Sequence, residues 1–468
     1  MKALVPVFDD SRQSPYYIQL YDYIKQAILA GEIAEGEKLP SLRNLAKSTG
    51  LSITTIEQAY NQLLVEGYIY SRAQSGYYVS RVYLASSKAV PETPEVLTQK
   101  VSTLEEAVDT ESLHMQFDRE CFDFNKWKKC MNKVLTEFSP ALFFEGDPQG
   151  ERGLRVEISK YLYLSRGVSC DPDQIFIGAG TQQITNLLAT LLRKLSIDHV
   201  AVENPGYLPV RNTFRDRGFA LTPVRAAADG LVIEKLPANI RTAAYVSPSN
   251  NAFTGSVMPI GRRYELLNWA EENDSFIIED DYDSELRYFG RPIPALKSLD
   301  KGGRVIYLGS FSSTLFAAVR ISYMVLPEAF AKAFRSIVKD YSQTCSKTEQ
   351  LTLAMFMETG FYQTHIKKLR KLYAQKLGKT TEAFEKSASD FVTVRNASSG
   401  INIPLHVTSA KTGAQLEKEA LSLGLPCMIL SSSSSKKGHE TNLILYYNQI
   451  PLGDIDSVLS GLIALWRS

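Results

Sequence analysis

Cysteine is scarce in this chain: Cys121, Cys130, Cys170, Cys345 and Cys427 are the only five in 468 residues, scattered and never spaced as CxxC. An odd, unpatterned set suggests neither a disulfide framework nor a zinc site and suits a reducing compartment, so the cytoplasm is the expected location and no metal is expected. Long apolar runs are missing as well. No stretch of 18 apolar residues occurs, and MKALVPVFDDSRQSPYY has no apolar core behind its lysine, so neither a membrane span nor a signal peptide is expected. Excess charge is also absent, with 52 Lys+Arg against 51 Asp+Glu. A nucleic-acid or membrane partner therefore has to be argued from a local segment. What is present, 44% hydrophobic and 22% charged residues, describes a globular protein whose length calls for two to four units.

The first 80 residues carry helix punctuation at close intervals. Ser14-Pro15 predicts an N-cap with proline at the first helical position, and Tyr17, Tyr21, Ile24 and Ile28 follow at helical spacing up to Gly31. After GEIAEGEKLP, Ser41 is placed to cap a short helix carrying Leu42, Leu45 and Ala46, which Gly50 ends. Ser52 is placed to cap a third, with Ile56, Ala59, Tyr60 and Leu63 on its buried side and Gly67 at its end. Two helices joined by a tight glycine turn have helix-turn-helix form. Tyr68-Ile69-Tyr70 and Tyr77-Tyr78-Val79 around Ala73-Gln74-Ser75-Gly76 then predict a short β-hairpin, a wing.

Through LAGEIAEGEKLPSLRNLA, LSITTIEQAYNQLLVEGYIY and QSGYYV, from about Tyr16 to Val79, the segment resembles the winged-helix DNA-binding domain of the GntR family. The resemblance implies that Ser41, Arg43, Ser52, Thr54, Thr55 and the wing residues Ser75 and Gly76 meet the phosphates and base edges of double-stranded operator DNA. Physically, the capped start of the third helix can enter a major groove while Arg43 and short hydroxyl side chains hold the backbone. The module itself is not basic, with seven Lys/Arg and eight Asp/Glu in residues 1–80, and Ile53 stands where the family often has arginine. A small helical adaptor that binds protein is the other reading of these residues.

Residues 81–112, rich in Ser, Thr, Pro and Glu, read as a tether. Beyond it, helical stretches such as QQITNLLATLLRKL alternate with QIFIGAG, HVAVEN, TAAYVS, SFIIED and RVIYLGS. Each of these runs ends in Gly, Asn, Ser or Asp, as a parallel sheet does where it presents functional loops at its carboxyl edge, so the fold class is α/β. YLYLSRGVSCDPDQIFIGAGTQQ, VENPGY, MPIGRRYELLNWA, IIEDDYDSELRY and GRPIPALKSLD resemble fold-type I pyridoxal-phosphate enzymes. With the N-terminal module attached, nearly the whole chain resembles the MocR/GabR regulators, which fuse a GntR winged helix to an aminotransferase-like domain.

That resemblance implies a winged helix over 1–80, a linker over 81–112 and a transferase-like effector and dimerisation domain over 113–468, with a smaller C-terminal α+β subdomain from about 350. It assigns the ring nitrogen of pyridoxal phosphate to Asp280, the phenolic oxygen to Tyr282, stacking on the ring face to Tyr207, and the phosphate to Gly180, Thr181, Gln182, Ser310, Ser312 and Arg320. It further implies a small-molecule effector and a head-to-tail, domain-swapped homodimer that reads two half-sites. The structural alternative is a solvated acidic loop at EDDYDSE with Arg320 paired to it.

In the family the turn reads S-F-S-K-T-L and its lysine forms a Schiff base with the cofactor; here LGSFSSTLF puts Ser313 at that position. A serine hydroxyl cannot condense with an aldehyde to make a Schiff base, so no catalytic residue is expected there. Pyridoxal phosphate would then be held non-covalently, or the pocket would take a different small ligand or none. Ala317 and Ser322 replace a usual proline and glycine, NNAFTG at 250–255 replaces H-Q-[FY]-P-T-G, and Ile444 falls where a substrate-binding arginine is common. Lys347, just before the helical run EQLTLAMFMETG, is not expected to substitute for the missing amine. The expected function is a DNA-binding transcriptional regulator whose large domain senses a ligand and supports dimerisation without transaminase activity. An enzyme using another amine and a protein-binding adaptor are the alternatives.

Overall fold

The computed structural model describes Phe8 and residues 14–82, 121–227, 229–288, 293–395, 399–435 and 438–468. The chain forms two compact units, Met1–Ala107 and Val108–Ser468. All but the first two residues of the tether expected at 81–112 lie outside the described residues.

The first unit holds α1 (Tyr16–Leu29), α2 (Leu42–Thr49), α3 (Ile53–Val65) and a hairpin of β1 (Ile69–Arg72) and β2 (Gly76–Val79). The hydroxyls of Ser41 and Ser52 accept the backbone N–H groups of Asn44 at 3.3 Å and Thr55 at 3.1 Å, satisfying donors that a helix start otherwise leaves orphaned. Gly50 closes α2 at φ 74°, a left-handed conformation that glycine adopts without a Cβ penalty. Ile56, Ala59, Tyr60 and Leu63 form the buried face of α3. Two expectations for α1 shift. Pro15 is itself the N-cap, at ψ 149°, and no side chain caps this helix. Its buried face is Leu20, Ile24, Ala27 and Ile28. Tyr17 and Tyr21 sit half-buried at its margin, where the Tyr21 hydroxyl donates to exposed Glu66 at 2.5 Å and so needs access to the surface.

The second unit is built on an eight-stranded sheet in the order β3-β10-β9-β8-β7-β4-β5-β6. Its strands are β3 (Ile175–Gly178), β4 (His199–Asn204), β5 (Ala220–Ala227), β6 (Gly230–Leu231), β7 (Thr242–Val246), β8 (Phe276–Asp280), β9 (Val305–Ser310) and β10 (Ser322–Val325). β5, β4, β7, β8 and β9 run parallel, β10 runs antiparallel between β9 and β3, and β6 runs antiparallel to β5. Side chains alternate across this sheet. Ala243, Tyr245, Ile278 and Ile306 join the core that contains Leu188 and Phe334, while Ala244, Val246, Ile277 and Val305 join the one that contains Leu266 and Trp269. Helices cover both faces, which is why the central strands read as continuous apolar runs.

A second sheet, β11 (Val392–Val394), β12 (Asn402–Ser409), β14 (Gly438–Tyr446) and β13 (Cys427–Ser435) in that order, is antiparallel throughout. It shares a core with the helices Phe361–Ser387 and Ile455–Arg467 through Phe384, Leu405, Leu459 and Trp466. Among the described residues no helix is long and apolar enough to cross a membrane, and no cluster of His, Cys, Asp or Glu could hold a metal ion.

One buried ion pair ties these layers together. Arg166, the last residue of the helix Arg152–Arg166, meets Asp281 with two parallel bonds, Nε to Oδ2 and Nη2 to Oδ1, both 2.8 Å. Replacing Asp281 by alanine leaves that guanidinium buried without a counter-charge, and the expected loss is ~3–5 kcal/mol of folding free energy. Urea denaturation of the variant checks it, and an unchanged midpoint would show that the pair contributes nothing.

Candidate functional site

The carboxyl ends of β4, β7, β8 and β9 open onto one cavity of about 290 Å³. Thr181, Gln182, Tyr207, Asp280, Tyr282, Ser310, Ser312 and Arg320, eight of the nine positions expected to hold a cofactor, line it together with Ser313. The ninth, Gly180, lies directly under Arg320: a Cβ at 180 would fall 2.2 Å from Arg320 Nη2. Glycine there, at φ 88°, lets the guanidinium approach the start of the helix Thr181–Lys194.

This end of the cavity fits an anion. No side chain caps the N-terminus of the helix Thr181–Lys194, so its first N–H groups and the positive end of the helix dipole remain available. Ser312 Oγ is buried with no hydrogen-bond partner. The Ser310 hydroxyl accepts from Ser312 N at 3.3 Å and from Ser322 Oγ at 2.9 Å, which leaves its own proton to donate. Arg320 forms no ion pair among the described residues, so its pairing with the EDDYDSE loop is not seen. An unpaired guanidinium, an orphaned hydroxyl and an uncapped helix start are the donors a phosphate needs.

The opposite wall is acidic. Tyr245 donates a short hydrogen bond to Asp280 Oδ2, and burial, opposed by that bond, pushes the Asp280 carboxyl up to about 6. Glu203 Oε2 accepts from Ser247 N at 3.2 Å and Asn251 Nδ2 at 2.9 Å, but Oε1 has no partner, and burial raises this group to about 7. Asp283, at φ 53° and 2% exposed, has no partner at hydrogen-bond geometry for either oxygen among the described residues. Burial pushes it up to about 6, against the pull of the nearby Ser313 and Tyr282 hydroxyls and the Ile401 N–H. It also borders a small second void with Arg166 and Arg287.

Ser313 lies in the turn after β9, and the helix Phe361–Ser387 pins the residue after it. His365 Nε2 lies 2.5 Å from Thr314 O, and the Tyr362 hydroxyl is 3.2 Å from Thr314 Oγ1. Among the described residues no lysine lines the cavity. Lys347 is elsewhere, with Nζ 3.3 Å from Phe144 O, 3.2 Å from Glu145 O and 3.9 Å from Glu151 Oε1. Ile444 is buried within β14; among the described residues of the small sheet, Met428 and Tyr446 line the cavity. Sequence reasoning passed over Glu203 and Asp283, although both stand beside residues it had singled out.

In the first unit, Ser41, Arg43, Ser52 and Thr54 are exposed at the starts of α2 and α3, with Thr55 half-buried behind Ser52. Ile53 is 49% exposed on the same edge. On the wing, Gly76 is exposed and Ser75 is held by the Tyr78 hydroxyl at 2.6 Å. Arg72, which sequence reasoning missed, lies over Tyr78 and Tyr70 at 4.7 and 5.4 Å and presents an exposed guanidinium beside them. Its signal was an arginine two residues after an aromatic on a predicted strand.

With these features in place, comparison identifies the class. Bacterial regulatory proteins of the gntR family match residues 16–79, and aminotransferases of class I and II match residues 115–421. The chain belongs to the helix-turn-helix transcriptional regulators in which a GntR-type winged helix is fused to an aminotransferase-like domain. It is 36% identical to the HTH-type transcriptional regulator YdeL of Bacillus subtilis over 99% of both chains. It is 30% identical to the probable rhizopine catabolism regulatory protein MocR of Rhizobium meliloti, over 99% of this chain and 97% of that one. The pyridoxine biosynthesis regulator PdxR of Corynebacterium glutamicum is 32% identical over 76% of each. The kynurenine aminotransferase of Pyrococcus horikoshii shares the fold, with a TM-score of 0.64, 21% identity and coverage of 80% of this chain and 96% of that one.

The unpartnered Asp283 gives a pH signature. Its folded-state value of about 6 lies above the ordinary 3.8, so the folded protein holds this proton more tightly than the unfolded chain does. The resulting penalty is absent below about pH 4, grows as pH rises through the interval and is complete above about pH 6. Two pH units amount to ~3 kcal/mol. Asp283→Asn should therefore gain stability relative to the parent as pH rises from about 4 to 7, in ligand-free protein compared by thermal denaturation. A difference that stays constant across that interval would mean the carboxylate is already compensated.

Proposed function

We propose that this regulator binds operator DNA through its winged helix and holds a phosphorylated pyridine ligand non-covalently in its aminotransferase-like domain, which senses that ligand without catalysing transamination. One observation supports this reading: Thr181, Gln182, Ser310, Ser312 and Arg320 line one cavity, the turn after β9 brings Ser313 to it, and among the described residues no lysine lines it. By resemblance Ser313 occupies the Schiff-base position, and a hydroxyl there forms no imine.

Arg320, Ser310, Ser312 and the helix start at Thr181 and Gln182 would hold the phosphate. Tyr207, about half exposed at the cavity, would cover a ring face, Asp280 would pair with the ring nitrogen, and Tyr282 with a phenolic oxygen. When bound, pyridoxal phosphate supplies an electron-accepting ring and an aldehyde. The chain's own residues fix it and keep the nitrogen's proton near a carboxylate, but they offer no amine at 313. Two copies arranged head to tail would read two half-sites, and the ligand would alter the reading only by binding one arrangement better than another.

Mass spectrometry of the natively purified protein tests the ligand. A phosphorylated small molecule should be present under native conditions and lost on denaturation, whereas a borohydride-fixed adduct on any lysine would overturn the non-covalent reading. In the same full-length protein, Arg320→Ala should weaken binding of that molecule at least tenfold, about 1.4 kcal/mol.

DNA binding has its own check. Arg43→Ala should lower operator affinity and reduce the slope of log affinity against log salt by roughly one, as loss of one phosphate contact requires. An unchanged slope in mobility shifts would remove Arg43 from the interface.

A further inference from the structure

Asp283 poses a problem that the phosphate end does not. It is 2% exposed and lines the cavity, and among the described residues neither oxygen has a partner at hydrogen-bond geometry, with only the neutral Ser313 and Tyr282 hydroxyls and the Ile401 N–H nearby. An ionised carboxylate in such a place calls for a cation with several donors. Among the described residues the cavity lining brings none beside it: Ser313 is its neighbour, and Arg320 lies over Gly180 at the anion end, while Arg166, paired with Asp281, and Arg287 border the second void and not the cavity.

We propose that the ligand supplies this cation: the cavity is a site for a phosphorylated pyridine amine, with pyridoxamine 5′-phosphate bound in preference to pyridoxal 5′-phosphate. The inference rests on the reading that Arg320, Ser312 and the helix start hold a phosphorylated pyridine. A protonated primary amine offers three N–H donors and a positive charge to Asp283 and to the Ser313 hydroxyl, and such charge-assisted bonds are the strong ones. An aldehyde offers only a carbonyl oxygen, an acceptor facing a carboxylate, and Ser313 has no nitrogen with which to capture it. Glu203, with Oε1 unpartnered, and Asp280 add negative potential to the same wall, which favours a cationic ligand over a neutral one. The arrangement inverts the usual division of labour. Instead of a protein amine waiting for an aldehyde, a protein carboxylate waits for an amine.

Calorimetric titration of full-length protein, freed of bound small molecules by dialysis, tests this with three probes. They are pyridoxamine 5′-phosphate, pyridoxal 5′-phosphate and pyridoxine 5′-phosphate, in which a neutral hydroxyl replaces the amine. The amine should bind at least about tenfold more tightly than either of the others. In Asp283→Asn that advantage should shrink to about twofold or less while the affinity for the aldehyde is kept. Ser313→Lys, which places the chain's own ammonium beside Asp283, should erase the advantage too, and should take up the aldehyde with loss of water as a borohydride-fixed mass adduct.

Equal affinities, or a preference for the aldehyde in the parent protein, overturn the inference while leaving the phosphate reading in place so long as Arg320→Ala weakens all three probes. An advantage that survives in Asp283→Asn also overturns it. Should that variant fail to fold, the parent series and Ser313→Lys decide the matter. No binding of any probe overturns both readings.

Discussion

The geometry of the cavity depends on the buried pair between Arg166 and Asp281. Arg166 ends one helix, with Gly167 turning the chain away at φ 70°, and its guanidinium reaches Asp281 beyond β8, Ser249 Oγ beyond β7 at 2.6 Å and the carbonyl of Ile293. Tyr307 on β9 donates to the same Asp281 carboxylate, as does Ser284 at 2.7 Å. A single guanidinium thus fixes the exits of two neighbouring strands relative to a third. With Asp281 tied on either side by the chain's own groups, Asp280 and Tyr282 are held at the cavity wall. A buried ion pair is weak support for stability, since apolar packing of equal volume does as well; what it adds is direction. Direction is what a binding site needs, because a polar wall with free rotamers would lose the entropy of fixing them at each binding event.

Much of this was legible because its signals are local. Ser41 and Ser52 sit three residues before the N–H groups they accept, and a glycine in left-handed conformation ends α2, so helix starts and stops could be read from neighbouring residues. The strand ends were equally local, and they deliver eight expected residues to one cavity. What escaped reading was relational. Asp283 and Glu203 matter because of partners they lack, and a missing partner leaves no mark in a sequence. The close approach of Arg320 to Gly180, which a Cβ would obstruct, is likewise a relation between distant residues. The reach of Met428 and Tyr446 into the cavity, in contrast to buried Ile444, depends on how the small sheet is registered and placed, since Met428 and Ile444 are themselves cross-strand partners.

On the proposed non-covalent reading, the cavity's unfavourable electrostatics become useful. Glu203 raised to about 7, and Asp280 and Asp283 to about 6, are groups whose ionised forms the empty fold disfavours. A ligand that brings a pyridinium N–H and an ammonium to them relieves part of that cost, so its binding is linked to the folded arrangement by more than contact area. Linkage of this kind scales as RT ln(1 + [L]/Kd), and it therefore follows free ligand concentration only when the ligand can leave. A Schiff base to lysine would keep a cofactor resident at concentrations far below those that fill a non-covalent site. On the proposed reading, in which Ser313 stands in place of that lysine, retention is lost and the occupancy of the cavity reports how much ligand is present. That is the property a sensor domain needs before any change at the winged helix can follow.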